Sequence, residues 1–263
     1  MSKKYTIRDI AKQAGVSVAT VSYVINNRND QRISEATKKK VWQIINLLDY
    51  HPNSSAKSLA TSKTCNIALY LKHEECPYKR CEQLAVMEAL TDVLSAHGYH
   101  LLLQHPGDIV RVDYADAILC YDTDLDFFNE VGDNNFIPLL GIDILISAQL
   151  QIFFQICTDY DAIKAKAEEC FGKDNYTYLC LRPNNQEVSD LILRTFPSVS
   201  FVSEVAVPLP DGNIVYNQQS LAVCAGEDAC YVPCDLYEKM EQVFSCFELA
   251  SNRVDGCTHQ VFV

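Results

Sequence analysis

The stretch "TIRDIAKQAGVSVATVSYVINN", residues 6–27, decides how the start of the chain folds. Thr6 stands before an apolar pattern with Asp9 three positions later, a spacing at which cap and first turn serve each other's backbone groups. Ile7, Ile10, Ala11 and Ala14 recur at i, i+3, i+4 and i+7, so a short helix with one narrow apolar stripe is expected. Gly15 supplies a stop and Ser17 a new cap only two residues on. The helix that follows turns Val21 and Val24 inward and leaves Val18, Ala19, Ser22, Tyr23 and Asn26 outside. Two short helices joined by a tight glycine-containing turn predict a helix-turn-helix. By periodicity alone, an ordinary three-helix bundle fits equally well.

Ser34 caps a third expected helix, "EATKKKVWQIINLLDY" (35–50), whose stripe is Val41, Ile44, Ile45 and Leu48. Beyond it "HPNSSAKSLATSKT" (51–64) is polar and serine-rich, the composition of a flexible connector, though it contains Leu59. Charge divides at the same place. Residues 1–63 hold 11 Lys and Arg against 4 Asp and Glu, a net of +7, while the rest holds 11 against 30, a net of -19. A small basic segment joined to a large acidic one suggests a polyanion-binding head on a body that polyanions repel.

These residues together carry a resemblance. "TIRDIAKQAGVSVATVSYVINN" followed by "ISEATKKKVWQIINLLDYHPNSSAKSLAT" resembles the headpiece of the LacI/GalR family of bacterial transcription regulators, interrupted only by a slightly long loop at "NRNDQR" (27–32). The resemblance implies that the helix after Ser17 enters the major groove, with Val18, Ala19 and Tyr23 at base-reading positions. It implies phosphate contacts for Thr6, Ser17, Thr20, Ser22, Asn26, Ser34, Thr37, Tyr50 and Asn53. Residues 51–64 match the family's hinge helix, in which Leu59 corresponds to the leucine wedged into the minor groove and Ala56 lies on the same face. An isolated helix so short should order only on binding. One departure bears on specificity: arginine is common in the family where this chain has Tyr23, and Val18 and Ala19 can touch a thymine methyl but form no base-edge hydrogen bond. An operator richer in A and T is the expectation.

After residue 64 strands alternate with helices. Strands are expected in "NIALYLK" (66–72), "YHLLLQH", "ADAILCYD", "NFIPLLGID", "QIFFQIC", "YTYLCLR" and "LAVCAG" (221–226). Helices are expected in "CEQLAVMEALTDVLSAHG", "DYDAIKAKAEECF", "QEVSDLILRTF" and "DLYEKMEQVFSCFELAS". Such alternation predicts a mainly parallel sheet covered on both faces. The fold class is therefore an all-α helix-turn-helix headpiece (1–50), a hinge or linker (51–64) and an α/β body (65–263). The resemblance implies a periplasmic-binding-protein-like body with two lobes, the second reduced because the chain is shorter than full-length members and lacks usual glycines. It also implies a small-molecule effector, a sugar or related metabolite, for which Tyr78 and Asp228 are the candidates. A remodelled pocket and a lost one are equally open.

Other classes find little support. No apolar run approaches the roughly 18 residues of a membrane span, and "MSKKYTIRDIAKQ" lacks a signal peptide's apolar centre. A cytoplasmic protein is expected, and its 12 cysteines are then expected as reduced, mostly buried thiols. The groups "KHEECPYKRC" and "CAGEDACYVPC" lack the CxxC pairing of structural zinc, so no metal is expected. No Gly-rich phosphate loop, GxSxG elbow or HExxH is present, and neither an enzyme nor a cofactor is expected. The expected function is a DNA-binding regulator, most simply a repressor, acting as a homodimer on a two-fold symmetric double-stranded DNA operator. Two alternatives are a small-molecule-binding module with a vestigial head and a constitutive DNA binder without inducer.

Overall fold

A computed structural model of the chain describes residues 5–25, 32–50, 63–146, 153–204, 210–254 and 256–263. The chain divides into two compact units, residues 1–62 and 63–263.

The first unit holds α1 (Ile7–Ala14), α2 (Val18–Ile25) and α3 (Glu35–Leu47). Three thin stripes have only one another to bury against, and Ile10, Ala11, Ala14, Val21, Val24, Val41 and Ile45 form a single core. The turn between α1 and α2 works because Gly15 takes a left-handed φ of 68° and lets the Val16 amide reach the Ala11 carbonyl at 3.1 Å. α3 ends at Leu47, before Asp49 turns to a φ of 47°.

The second unit is built on two parallel sheets. The first contains β1 (Asn66–Leu71), β2 (His100–Gln104), β3 (Ala117–Tyr121), β4 (Leu139–Ile142), β5 (Phe154–Cys157) and β10 (Gln260–Phe262), in the order β10-β5-β4-β3-β1-β2. The second contains β6 (Thr177–Leu181), β7 (Val199–Val202), β8 (Ile214–Tyr216) and β9 (Cys230–Tyr231), in the order β7-β6-β8-β9. Strands buried on both faces read as unbroken apolar runs, which is why "NIALYL" and "AILCY" show no alternation.

On one face of the first sheet lie α4 (Pro77–Ala96) and α9 (Leu236–Ser251), where Val86, Leu90, Val243 and Phe247 pack on Leu69 and Leu119. On the other lies α5 (Leu125–Asn134), where Phe128 and Val131 meet Tyr70 and Ile118. The second sheet carries α6 (Tyr160–Phe171) and α7 (Gln186–Thr195) on one face. Its other face carries a 3-10 turn, Gln219–Leu221, and the single-turn α8 (Ala222–Ala225). The second sheet is the smaller, with three residues in β8 and two in β9.

One expected strand is corrected. "LAVCAG" forms the end of that 3-10 turn and α8 rather than a strand. Its burial has helical spacing, with Leu221 and Ala225 inside and Val223 81% exposed, and a short apolar run does not distinguish the two conformations. Helix α5 and strands β7, β8, β9 and β10 were not expected from the sequence. Among the described residues no helix is long and apolar enough to cross a membrane.

Candidate functional site

In the first unit the expected contact residues gather on α2 and at helix starts. The Ser17 Oγ accepts from the Thr20 amide at 3.0 Å and lies 2.9 Å from the Thr20 hydroxyl, capping α2. Ser34 repeats the device on α3: its Oγ accepts from the Thr37 amide at 3.2 Å and sits 2.9 Å from that hydroxyl. At α1 the Thr6 amide and hydroxyl both donate to Asp9 Oδ2 at 2.8 Å. Capped N-termini leave further amides and a partial positive charge facing outward, which suits phosphate.

Positions 18, 19, 22 and 23 fall on one side of α2, opposite the buried Val21 and Val24. Val18 is 42% exposed, Ala19 is exposed, and Ser22 and Tyr23 are half-buried. Thr37 and Tyr50 are half-buried too, and Tyr50 packs against the head core, where burial raises its phenol's pKa. Asn26, Asn53, Ala56 and Leu59 lie outside the described residues.

The second unit has a cavity of about 110 Å³ where its two sheets face each other. Tyr121, Asp122, Asp143, Thr158 and Lys239 line it from the first sheet's side, and Tyr178, Asn217 and Gln218 from the second's. Asp122 and Asp143 directly follow β3 and β4, at the carboxyl ends of parallel strands where ligands of open α/β sheets collect. Both adopt positive φ, 44° and 52°, a conformation aspartate tolerates better than most residues.

These charges are already paired. Lys239 is 2% exposed, and its Nζ donates to both Asp143 oxygens at 2.7 Å and to Thr158 Oγ1 at 2.9 Å. Burial alone would weaken the ammonium, but the Asp143 charge outweighs it and holds Lys239 above the usual lysine range. A second cluster joins the two sheets: Lys79 Nζ is 3.0 Å from both Glu74 and Asp122, and the Asn184 amide donates to Asp122 Oδ1 at 2.8 Å. Burial pushes the Asp122 carboxyl up to about 6, partly offset by Lys79. The Tyr178 hydroxyl donates to Asn217 at 2.7 Å.

Neither sequence candidate for the effector lines this cavity. Tyr78 packs against the Leu179 and Leu181 cluster beside Cys224, and Asp228 is exposed. Asp122 and Asp143 had a usable signal, an aspartate ending an apolar run. Lys239 had none, since a lysine on an amphipathic helix ordinarily faces water. Among the described residues no three His, Cys, Asp or Glu side chains are grouped to hold a metal ion.

Residues 6–53 match the family model "Bacterial regulatory proteins, lacI family". The chain is 40% identical over 98 residues to the HTH-type transcriptional repressor PurR of Edwardsiella ictaluri, a match covering 37% of this chain and 27% of that protein. It is 35% identical over 98 residues to catabolite control protein A of Streptococcus mutans, again 37% of this chain and 28% of the relative. The chain thus spans little more than a quarter of these relatives in its sequence matches. In fold it is similar to the lac repressor dimer bound to operator and the anti-inducer ONPF, with a TM-score of 0.64 at 14% identity, over 99% of this chain and 96% of that one. The α/β body of two parallel sheets that follows belongs to a chain similar in fold to the lac repressor, and residues 6–53 are a helix-turn-helix domain of the lacI family.

Proposed function

We propose that this protein is a sequence-specific DNA-binding transcription regulator, a repressor, that binds a palindromic operator as a homodimer. The observation that carries this is the capped N-terminus of α2, which presents exposed Val18 and Ala19 while Val21 and Val24 anchor the helix from behind. In this reading α2 enters the major groove. Val18 and Ala19 meet thymine methyls, Tyr23 offers a ring and one hydroxyl, and the hydroxyls of Thr6, Ser17, Thr20, Ser22 and Ser34 fix register on phosphates. Leu59 and Ala56 act at the operator centre as the family's hinge residues do, a role that rests on sequence resemblance alone.

Two heads on two half-sites follow from the small surface of one. Support for a dimer comes from Leu84 on α4 and Leu103 on edge strand β2, 53% and 59% exposed, which flank Met87 in one groove. The effector question has a second reading, a regulator without inducer. It is favoured by a cavity of about 110 Å³ whose charges are self-paired, against the roughly 300–1,000 Å³ of ordinary small-molecule sites.

Selection from random double-stranded DNA, followed by mobility shift at two salt concentrations, tests the main reading. A palindromic, A/T-rich site should emerge, with affinity falling steeply as salt rises. Absence of binding at low salt would remove the proposal, and a G·C-centred half-site read through Tyr23 would remove its specificity component. A thermal-shift screen with sugars, sugar phosphates and nucleotides separates the two effector readings.

A further inference from the structure

We propose that Cys170 and Cys230 form a reversible disulfide, a redox modification site on the second sheet that is independent of DNA binding. Cys170 lies in the last turn of α6 and Cys230 opens β9, 60 positions apart in sequence, yet their sulfurs are 3.0 Å apart. A bond between them needs a closure of about 1 Å, within the reach of side-chain rotation.

Their setting differs from that of the chain's other thiols. Cys76, Cys120, Cys157, Cys180 and Cys246 are buried, and burial pushes Cys157 up to about 12. Such thiols are inert packing. Cys170 and Cys81 are the two exposed cysteines. Of these, Cys170 has a second sulfur beside it, and the Lys166 ammonium, paired with Glu169 at 2.7 Å, interacts with both sulfurs. Cys230 is half-buried; burial and the bond to Cys170 push it up to about 11, with Lys166 working against them. The roles then divide by access, with Cys170 meeting the oxidant and Cys230 resolving it.

With hydrogen peroxide as the oxidant, the Cys170 thiolate attacks one peroxide oxygen and the O–O bond breaks. Hydroxide leaves and takes up a proton as water, and Cys170 becomes a sulfenic acid. The Cys230 thiol then attacks the Cys170 sulfur, the S–O bond breaks, the thiol proton passes to the departing hydroxide, a second water leaves and the S–S bond forms. Two thiols are oxidised and one peroxide is reduced. The product ties the end of α6 to an edge strand of two residues that, among the described residues, is otherwise paired with β8 alone.

The test treats the full chain with stoichiometric hydrogen peroxide, blocks remaining thiols, and maps peptides without reductant. The expected result is a peptide joining Cys170 to Cys230, a free-thiol count falling from 12 to 10 per chain, and full reversal by dithiothreitol. Cys170→Ser and Cys230→Ser should each abolish the link, whereas Cys81→Ser should leave it intact. Cys170 recovered as a sulfinic acid with no link would overturn the proposal. So would a bridge from Cys170 to Cys224 or Cys234, or to a second copy of the chain.

Discussion

Replacing Lys239 by methionine should destabilise the second unit by about 3–5 kcal/mol, the usual cost of stranding one member of a buried ion pair. Opposite unit charges 2.7 Å apart attract by about 6 kcal/mol at an effective dielectric constant near 20. Desolvation of both groups offsets much of that, so the native pair adds little net stability. The loss arises because methionine restores the stem's packing and leaves the Asp143 carboxylate, among the described residues, with the Thr158 amide and hydroxyl at 3.0 and 3.1 Å. The Asp143 side chain is 20% exposed, and residual water places the expectation toward the lower end of the range. Asp143→Asn strands the more deeply buried partner and should cost at least as much. The double variant carries neither charge, so its loss should fall short of the summed single losses by about 2 kcal/mol or more.

Denaturant unfolding followed by far-ultraviolet circular dichroism reads the body. Trp42, the single tryptophan of the chain and part of α3, reports the head separately. A loss below about 1 kcal/mol for Lys239→Met, as for a surface pair, would refute the reasoning. Additive single losses would refute it equally, because the pair would then have no coupling.

Three further outcomes are expected. Gly15→Ala places a Cβ whose nearest neighbour is Lys40 Nζ at 3.9 Å, so the cost is the left-handed backbone alone, about 1–2 kcal/mol; the Trp42 transition should move and the body's should not. Asp122 has a folded pKa of about 6 against an ordinary 3.8, so between those values the folded state holds a proton the unfolded state has released. Stability should therefore fall by up to about 3 kcal/mol as pH rises through that window and level off above it, and subtracting the Asp122→Asn curve should isolate the slope. Leu84→Glu with Leu103→Lys should reduce self-association in sedimentation while leaving circular dichroism unchanged.

The head was legible in the sequence because its determinants are local. Thr6 with Asp9, Gly15, Ser17 and Ser34 each act within four residues, and the stripes of α1 to α3 repeat at helical spacing. Most long strands were legible because burial on both faces writes them as continuous apolar runs. Strands of two or three residues, such as β8, β9 and β10, are too short for any period to show. "LAVCAG" was misread for the same reason. The cleft was the least legible part, since Asp143, Thr158 and Lys239 meet only through tertiary folding, with 81 positions between the last two. Cys170 and Cys230 are likewise brought together only by tertiary folding, as α6 packs on the second sheet and β9 pairs with β8.

The strand order also constrains how the body assembles in time. Every element of the second sheet, from Tyr160 to Tyr231, lies between β5 and α9 in sequence, while β10 pairs back onto β5 with Gln260 opposite Gln155. The second sheet is thus one continuous insertion into the first. Its own pairings close short loops, whereas the first sheet cannot gain its edge strand until some hundred residues have been gathered out of the way. Refolding should therefore be stepwise: protection from hydrogen exchange should appear in β6 and β8 before it appears across β5 and β10.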